Sequence, residues 1–578
     1  KHLEMHPEFD ISLVAAEPLI NKPMNMAFDA TGRLWVTTSI EYPWAAPTNA
    51  PGRDRLMIFE DFGPDGRARK VTEFAGGLNI PIGIYPFRNK DKRWKAIVWS
   101  IPHIWLFEDT DGDGKADKRT PLYGPFDYTR DTHGNQASFT RGFDGWLYAT
   151  HGFNNDSRFT GPDGLQLHFN SGNTYRMRVD GTRLEPHTWG QVNPYGLTWD
   201  ERGNLYSSDC HSAPIYQLLA GGWYPSFGKP HDGLGFAPTM MEHAHGSTAI
   251  DGALYYSDDL WPEEYKDNFF IGNVMTSRLN RDRIEFHGST PKAVEQPDFV
   301  TTTDPWFRPV HNILGPDGAL YIADFYNRII GHYEVPLTHP GRDRERGRIW
   351  RVVYTGDRAK ERAAGSQPAN PSSPFLRTAA LPNDLGGLIN ELGSPNLTRR
   401  LLAMNEIQDR HGVSSVGALK QRLPQVSGSR HALHLTWMLN RLGALDAQQL
   451  EVELKSPDSL RRTHALRILT ERGRLVRAKP GGTTADEPSA LRKHALTALN
   501  DPDALVRRCA AEVLGAWRDA ANVQPLLEAL ATADREETHL VYVLRKALRD
   551  QLNDDAIFRE VAGRQLSARD ARAIADVA

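Results

Sequence analysis

Glu108-Asp109-Thr110-Asp111-Gly112-Asp113-Gly114-Lys115-Ala116-Asp117-Lys118 decides the fold because it occurs twice. Glu60-Asp61-Phe62-Gly63-Pro64-Asp65-Gly66-Arg67-Ala68-Arg69-Lys70 aligns with it residue for residue, with Gly63 in place of Asp111 and Arg69 in place of Asp117. Two copies of one unit imply a repeat protein. The first copy puts acidic side chains at positions 1, 3, 5 and 9 of a loop and glycine at position 6, the ligand order of an EF-hand-like calcium loop. Asp109, Asp111, Asp113 and Asp117 are the expected ligands, together with the carbonyl of Lys115, which a sharp turn at Gly114 brings to the same centre. Thr120 stands where an EF-hand has its bidentate Glu, so the loop is not a complete EF-hand. The other copy has lost two ligands while its unit was kept. The ion is therefore expected to clip a surface hairpin rather than to serve as the reaction centre.

Working outward, the repeat is a strand-and-turn unit. It reads Asp29-Ala30-Thr31-Gly32-Arg33-Leu34-Trp35, Asp144-Gly145-Trp146-Leu147-Tyr148, Asp200-Glu201-Arg202-Gly203-Asn204-Leu205-Tyr206, Asp251-Gly252-Ala253-Leu254-Tyr255 and Asp317-Gly318-Ala319-Leu320-Tyr321. A less regular copy is Lys95-Ala96-Ile97-Val98-Trp99-Ser100. Each regular copy is a glycine turn followed by a strand with an aromatic residue. The intervals lie somewhat above the ~40–50 residues of simple propeller repeats. Six four-stranded blades are expected, the acidic loop joining strands at the end of blade two.

Helical spacing takes over later. Leu385, Leu388, Ile389 and Leu392 share one helix face. Asp501 to Trp517 reads as a HEAT-like unit with Pro502 in its first turn, and Ser456 to Leu466 repeats the idea. The expected organisation is multidomain: an all-β six-bladed propeller over residues 1–356, a Pro- and Ser-rich linker over 357–380, and an all-α HEAT-like solenoid over 381–578. Ile574 and Val577 keep an apolar phase to the end, so further repeats are expected beyond Ala578.

Composition narrows the function. The net charge of -4 and pI near 6.6 leave no basic footprint for nucleic acid. No apolar run reaches the ~18 residues of a membrane span. The sequence starts at Lys1, so a removed leader is expected, with a periplasmic or secreted location. Cys210 and Cys509 are not expected to pair, and no Cys-x-x-Cys-His occurs, so the chain itself attaches no c-type haem.

Propellers work through loops at one end of their channel, and here those loops are dense in His, Arg and Asn. Arg130, Asp131, His133 and Asn135 fall in one such loop, Asn193 in the next, and His211 in Asp209-Cys210-His211-Ser212. His243 and His245 follow, then Arg278, then Arg308 and His311. Arg130, Arg278 and Arg308 can clamp a carboxylate or sulfate in bidentate fashion. His211, His243, His245 and His311 suffice for a transition-metal site if they converge, and His243 and His245 lie on one side of an extended segment. Ordinary ion pairing and packing are the competing readings for any single residue.

Asp209-Cys210-His211-Ser212, Asn273-Val274-Met275-Thr276-Ser277-Arg278-Leu279-Asn280-Arg281, Ala323-Asp324-Phe325-Tyr326-Asn327-Arg328 and His339-Pro340-Gly341-Arg342-Asp343, with the acidic loop, resemble the membrane-bound dehydrogenase family common in Planctomycetes and Verrucomicrobia. The resemblance spans essentially the whole chain. It implies a propeller like that of quinoprotein glucose dehydrogenases, then HEAT repeats, and usually a c-type cytochrome domain. It further implies calcium, pyrroloquinoline quinone, and a His base upstream of an Asp-Gly-x-Leu-Tyr strand, a position that His133 holds at similar spacing. On that basis His133, Arg130 and Arg278 are the catalytic candidates. Arg308, Asn135, His211, Asn193, His245 and His311 are the cofactor-binding candidates. The implied activity is oxidation of a sugar or polyol, with electrons leaving to a cytochrome. A lyase or hydrolase on anionic or sulfated glycans, and a non-catalytic glycan-binding or assembly module, are the alternatives.

Overall fold

The computed structural model describes residues 3–247, 249–329, 335–356, 378–477 and 489–578. Most of the expected linker, 357–377, lies outside the described residues, as do residues 478–488.

Six sheets form a propeller. Blade one is Pro23–Phe28, Leu34–Thr38, Asp54–Phe62 and Ala68–Leu78, and blade two is Ile84–Arg88, Trp94–Ser100, His103–Glu108 and Lys118–Tyr123. The acidic loop and its counterpart join the third and fourth strands of blades two and one, as expected. Blade three runs from Ala137–Arg141 to Leu184–Trp189 and carries an extra hairpin, Asp156–Thr160 with Gln166–Asn170. The expectation of four strands throughout fails twice among the described residues. Blade four has three strands, Asn193–Trp199, Leu205–Cys210 and Ile215–Leu218. Blade five, starting at Ile250–Tyr255, gains a fifth strand, Leu3–Glu4. Blade six, starting at Pro309–Leu314, is completed by Phe9–Ala16, whose Phe9 pairs with Tyr354 and whose Ala16 pairs with Arg348.

The repeated Asp has a local cause. Its carboxylate caps the turn and holds the aromatic residue of the strand that follows. Asp29 Oδ1 accepts from the Thr31 amide at 2.8 Å while Oδ2 accepts from Trp35 Nε1 at 2.7 Å. Asp144 and Asp317 accept from the hydroxyls of Tyr148 and Tyr321 at 2.7 and 3.0 Å, and Asp200 from Tyr206 at 3.1 Å. Asp251 breaks the pattern. It lies inside Ile250–Tyr255, the innermost strand of blade five, and not in a turn before the second strand. The second strand there is Asn268–Asn273, and Phe269, paired with Tyr255, is the counterpart of Leu34, paired with Phe28. Leu254 is therefore one strand out of step with the other repeats.

The innermost strands line the channel, and in five of them the pairing slips near the middle, at Pro23/Met26, Ala137/Thr140, Pro194/Leu197, Asp251/Leu254 and Pro309/His311. Such bulges re-aim side chains, and here they build a belt of buried hydrogen bonds across the channel. Asn25 Nδ2 donates to Tyr195 Oη at 2.8 Å, the Ser138 amide donates to Asn25 Oδ1 at 2.9 Å, and the Gly196 amide donates to Ser138 Oγ at 2.7 Å. Gly196 has φ +111°, and a Cβ there would lie 2.6 Å from the Ala253 nitrogen, so the close approach of blades four and five requires glycine. Asn312 Nδ2 donates to the Gly252 carbonyl at 2.8 Å.

The compact unit that contains the propeller runs on to Ser415 and takes in the first helices, Leu385–Glu391 and Leu397–Glu406, capped by Asp384 and Asn396. The second unit is Pro230–Met240, Glu285–Lys292 and Val416–Ala578. It is all-helical beyond Val416 in the described residues. In it, Asp503 caps Ala504–Ala516, which leaves Pro502 outside the helix rather than in its first turn. Trp517 Nε1 donates to the Leu469 carbonyl at 2.9 Å and ties neighbouring helices together. No helix among the described residues is long and apolar enough to cross a membrane.

Candidate functional site

The belt divides the channel into two cavities. One, of about 380 Å³, opens where the innermost strands begin. The other, of about 190 Å³, lies at their far ends.

The far end is plugged. Leu397, Leu401, Leu402 and Asn405 of helix Leu397–Glu406 face Phe28, Tyr85, Trp199 and Leu314 across the smaller cavity. The helix widens into a π-helical turn at Ile407–His411, which sets Asp409 against buried Arg141 at 2.6 and 3.1 Å. Burial opposes the Arg141 charge, but Asp409 and Tyr85 beside it more than offset this and hold it protonated. Arg88 pairs with Glu406 at 2.9 Å, and Asn396 Nδ2 donates to Asp258 at 2.6 Å. His311 belongs to this side of the belt. Its Nδ1 accepts from the Met26 amide at 3.2 Å, and burial lowers its pKa to about 4. It is a neutral structural residue here and not part of the open cavity.

The open mouth brings together four of the expected residues, His133, Asn193, His211 and Arg308, with Asp131, Asp251, Cys210, Tyr42, Tyr195, Met275, Phe325 and Asn327. Asp131 fixes His133. Its Oδ1 accepts the His133 and Gly134 amides and lies 2.9 Å from the imidazole Nδ1. With Nδ1–H given to the carboxylate, Nε2 carries the lone pair. Tyr42 packs edge-on against the ring, with centroids 5.3 Å apart. Asn155 braces the turn, donating to the Asp131 carbonyl at 2.7 Å and accepting the Asp131 amide at 3.1 Å.

Arg308 is a buried cation. Its Nη atoms donate to Ser277 Oγ and to the carbonyls of Phe307 and Arg328, while its Nε is buried without an acceptor. Burial lowers its pKa to about 10. Asp251 lies opposite in chemistry. Burial pushes its pKa up to about 7, opposed by the hydrogen bond from the Cys210 thiol at 3.4 Å and by His133 nearby. Behind it, burial also raises Asp209 to about 7, although Ser212 and the Val192 and Asn193 amides hydrogen-bond to it.

Five expected site residues stand elsewhere. Arg130 is an exposed residue near Asp127, and Arg278 is an exposed partner of Asp298 at 2.7 Å. His245 is held by Asp282, and His311 faces the plugged end. Asn135 is buried below the mouth with its amide nitrogen and oxygen both lacking a protein partner. The expected convergence of four histidines fails: His243 and His245 meet, while His211 and His311 lie on different cavities. Both cysteines are free and buried.

Sequence reasoning misses Asp251 because its Asp-Gly pair reads as a turn. A local signal separates it from the others. Asp144-Gly145 and Asp317-Gly318 follow Gly142 and Gly315, which accept the turn hydrogen bonds from Gly145 and Gly318, whereas Ala249 stands at that position before Asp251-Gly252.

In the acidic loop, carboxylate oxygens of Asp109, Asp111 and Asp117 lie within 4.8 Å of one another. Asp109 takes the Gly112 and Gly114 amides, while Asp113 turns toward the Lys115 amide at 2.8 Å and stands outside the trio. In the counterpart loop a Cβ on Gly63 would lie 2.9 Å from Arg69 Nε, so a guanidinium fills the space that corresponds to the acidic cluster. The terminal pairs match: Glu60 with Lys70 at 2.5 Å and Glu108 with Lys118 at 2.6 Å.

Solved structures similar to the chain include an oxidoreductase (glucose dehydrogenase) of Thermus thermophilus, at 17% identity and a TM-score of 0.41 over 60% of this chain and 100% of that one. A PQQ-bound aldose sugar dehydrogenase of Streptomyces coelicolor matches at 16% identity and 0.40 over 61% and 100%. A luciferin-regenerating enzyme matches at 14% and 0.37 over 60% and 95%. No curated protein matches the chain by sequence. Residues 1–356, the whole propeller, match the family described as a domain of unknown function, DUF7133, and the chain belongs to that family.

Proposed function

We propose that the open mouth binds a sugar or polyol and oxidises one of its hydroxyls, with His133 taking the hydroxyl proton. The observation that carries this reading is the Asp131–His133 pair facing a cavity of about 380 Å³. A carboxylate on Nδ1 fixes the tautomer whose Nε2 carries the lone pair, the arrangement that general base catalysis asks for. Asn193, Asn327 and Tyr195 supply polar groups for hydroxyls, and Phe325 and Met275 supply apolar walls.

The reaction needs a two-electron acceptor. A pyrroloquinoline quinone carries several carboxylates. Arg308, with a buried Nε lacking an acceptor, fits one of them, and is the single permanent cation among the described residues lining the cavity. When bound, such a quinone would supply the hydride acceptor. Arg308 would hold it, His133 would hold the proton at Nε2, and Asp251, neutral below about pH 7, adds no charge to oppose an acidic cofactor. Electrons would pass on to a c-type cytochrome, in the periplasm or outside the cell. Calcium at Asp109, Asp111 and Asp117, with Asp113 swinging in and the Lys115 carbonyl, would clip the blade-two hairpin.

The test is reconstitution with calcium and the quinone. A quinone absorption band, and dye reduction by aldoses or polyols that is lost in His133→Gln, support the reading. Intact calcium binding with no quinone uptake sinks it. Product release from an anionic polysaccharide without any electron acceptor selects a lyase or hydrolase instead.

A further inference from the structure

We infer that His243, His245 and Asp282 form a binding site for a divalent first-row transition metal, separate from both the mouth chemistry and the acidic loop. His243 Nε2 lies 2.7 Å from Asp282 Oδ1, and His245 Nε2 lies 2.8 Å from Oδ2 of the same carboxylate. One nitrogen from each ring and a carboxylate oxygen all lie within 4.8 Å of one another. Asp282 is fully buried and His245 nearly so, while the His243 side chain keeps 24% of its surface. Two imidazoles and one carboxylate with an open side is a ligand set used for zinc and for non-haem iron, with the remaining position left to water.

The supporting contacts also match a metal site. His245 Nδ1 is buried and has no well-formed hydrogen bond, but Glu295 Oε1 lies 3.2 Å from it. A small turn of that carboxylate makes the carboxylate–histidine pair that backs a ligand imidazole. Asn273 Nδ2 donates to the His245 carbonyl at 3.2 Å and fixes the loop. His245 has φ +49°, an uncommon backbone for a histidine, and this turn sets the two rings edge to face with centroids 4.7 Å apart. Ligands at ~2.0–2.1 Å from a tetrahedral ion stand about 3.3 Å apart, so the nitrogens and oxygens need to spread by roughly half an ångström. His243, the half-open residue, can supply that movement. A metal-bound imidazole is neutral with its one proton on Nδ1, so on binding the proton of each Nε2 exchanges through solvent to Nδ1, or is released where the ring was protonated at both nitrogens, and the Nδ1–H of His245 is given to Glu295.

The ligands come from the loop that leads to Ala249 and Asp251 on the mouth wall, and from the third strand of blade five. The ion would pin that loop to the blade. Its readout is metal binding, so it stands or falls independently of the quinone reading. The untagged full chain is stripped with chelator, saturated with calcium to fill the acidic loop, and titrated calorimetrically with zinc, with cobalt absorption as a second probe. One equivalent of zinc and a tetrahedral or five-coordinate cobalt spectrum are expected. His243→Gln, at the half-open position, should weaken binding at least about 100-fold with unchanged circular dichroism, and Glu295→Gln should weaken it about 10–100-fold. Absence of a zinc equivalent in the wild type, or wild-type zinc affinity retained in a folded His243→Gln, overturns the assignment.

Discussion

The two ends of the channel are built from the same six strands and have opposite fates. At the far end, helix Leu397–Glu406 fills the opening and the arginines around it have carboxylate partners: Arg141 with Asp409, Arg88 and Arg410 with Glu406. At the near end, polar groups are left incompletely matched. Arg308 Nε lacks an acceptor, and Asp251 is buried against a thiol rather than a permanent cation. A buried cation held by a carboxylate is what stability selects, and a buried donor without an acceptor is what an anionic ligand can satisfy. The same inner strands thus separate a plugged end from an open end, with the Asn25–Tyr195–Ser138 belt as the wall between them.

Substitutions can break this contrast. His133→Gln is expected to lower dye reduction by the reconstituted protein about 10²–10⁴-fold while leaving the melting temperature in place. A large loss of melting temperature would make His133 structural and erase the difference between the ends. At the plugged end, Arg141→Met leaves Asp409 facing a site with no cation. Urea unfolding should show a loss of about 3–5 kcal/mol, and a loss below about 1 kcal/mol would mean that the plug is held by something else. Asp251 sharpens the contrast through pH. A carboxyl near 3.9 when unfolded and about 7 when folded holds its proton in the fold across that window. Its stabilising effect is therefore complete below about pH 4 and fades as pH rises to about 7, after which ionised burial is a constant cost. Asp251→Asn should gain on the wild type by on the order of 2 kcal/mol between pH 5 and pH 8, measured as the difference of unfolding free energies. An equal difference at both pH values would contradict the burial reading. The smallest effect is a control remote from both ends. Calcium at ten times its Kd should add about 1.4 kcal/mol to the wild type and nothing to Asp111→Asn. A calcium response that survives in Asp111→Asn would locate the ion elsewhere.

What the sequence reveals follows the range of the forces involved. The Asp-Gly-aromatic unit is legible because Asp29, Asp144, Asp200 and Asp317 bind the turn and the aromatic side chain within a few residues of themselves. Four of the six blades follow from that, while blade two lacks the Asp and blade five carries its Asp-Gly pair one strand early. The mouth is legible in part, since Asp131 fixes His133 from two residues away. What stays hidden is set by distant pairings. Arg141 finds Asp409 across a long stretch of chain, so no local pattern announces the plug. His243 and His245 are visible as a pair, but Asp282 lies on a strand that only blade folding brings to them. Arg130 and Arg278 read as clamps because charge is legible in a sequence while the carboxylates that take it up, Asp127 and Asp298, are not.

Closure of the ring also constrains how the chain can fold during synthesis. Phe9–Ala16 emerges long before its partner Arg348–Tyr354, the last strand of the propeller. Until that partner is made, the early strand is an unpaired edge carrying Phe9, Ile11 and Val14, all destined for the core. The sheet it finishes also bears the closure entropy of the longest loop in the domain. The propeller is latched by its own two ends, so the first-made end must be kept from wrong partners until the last-made end arrives.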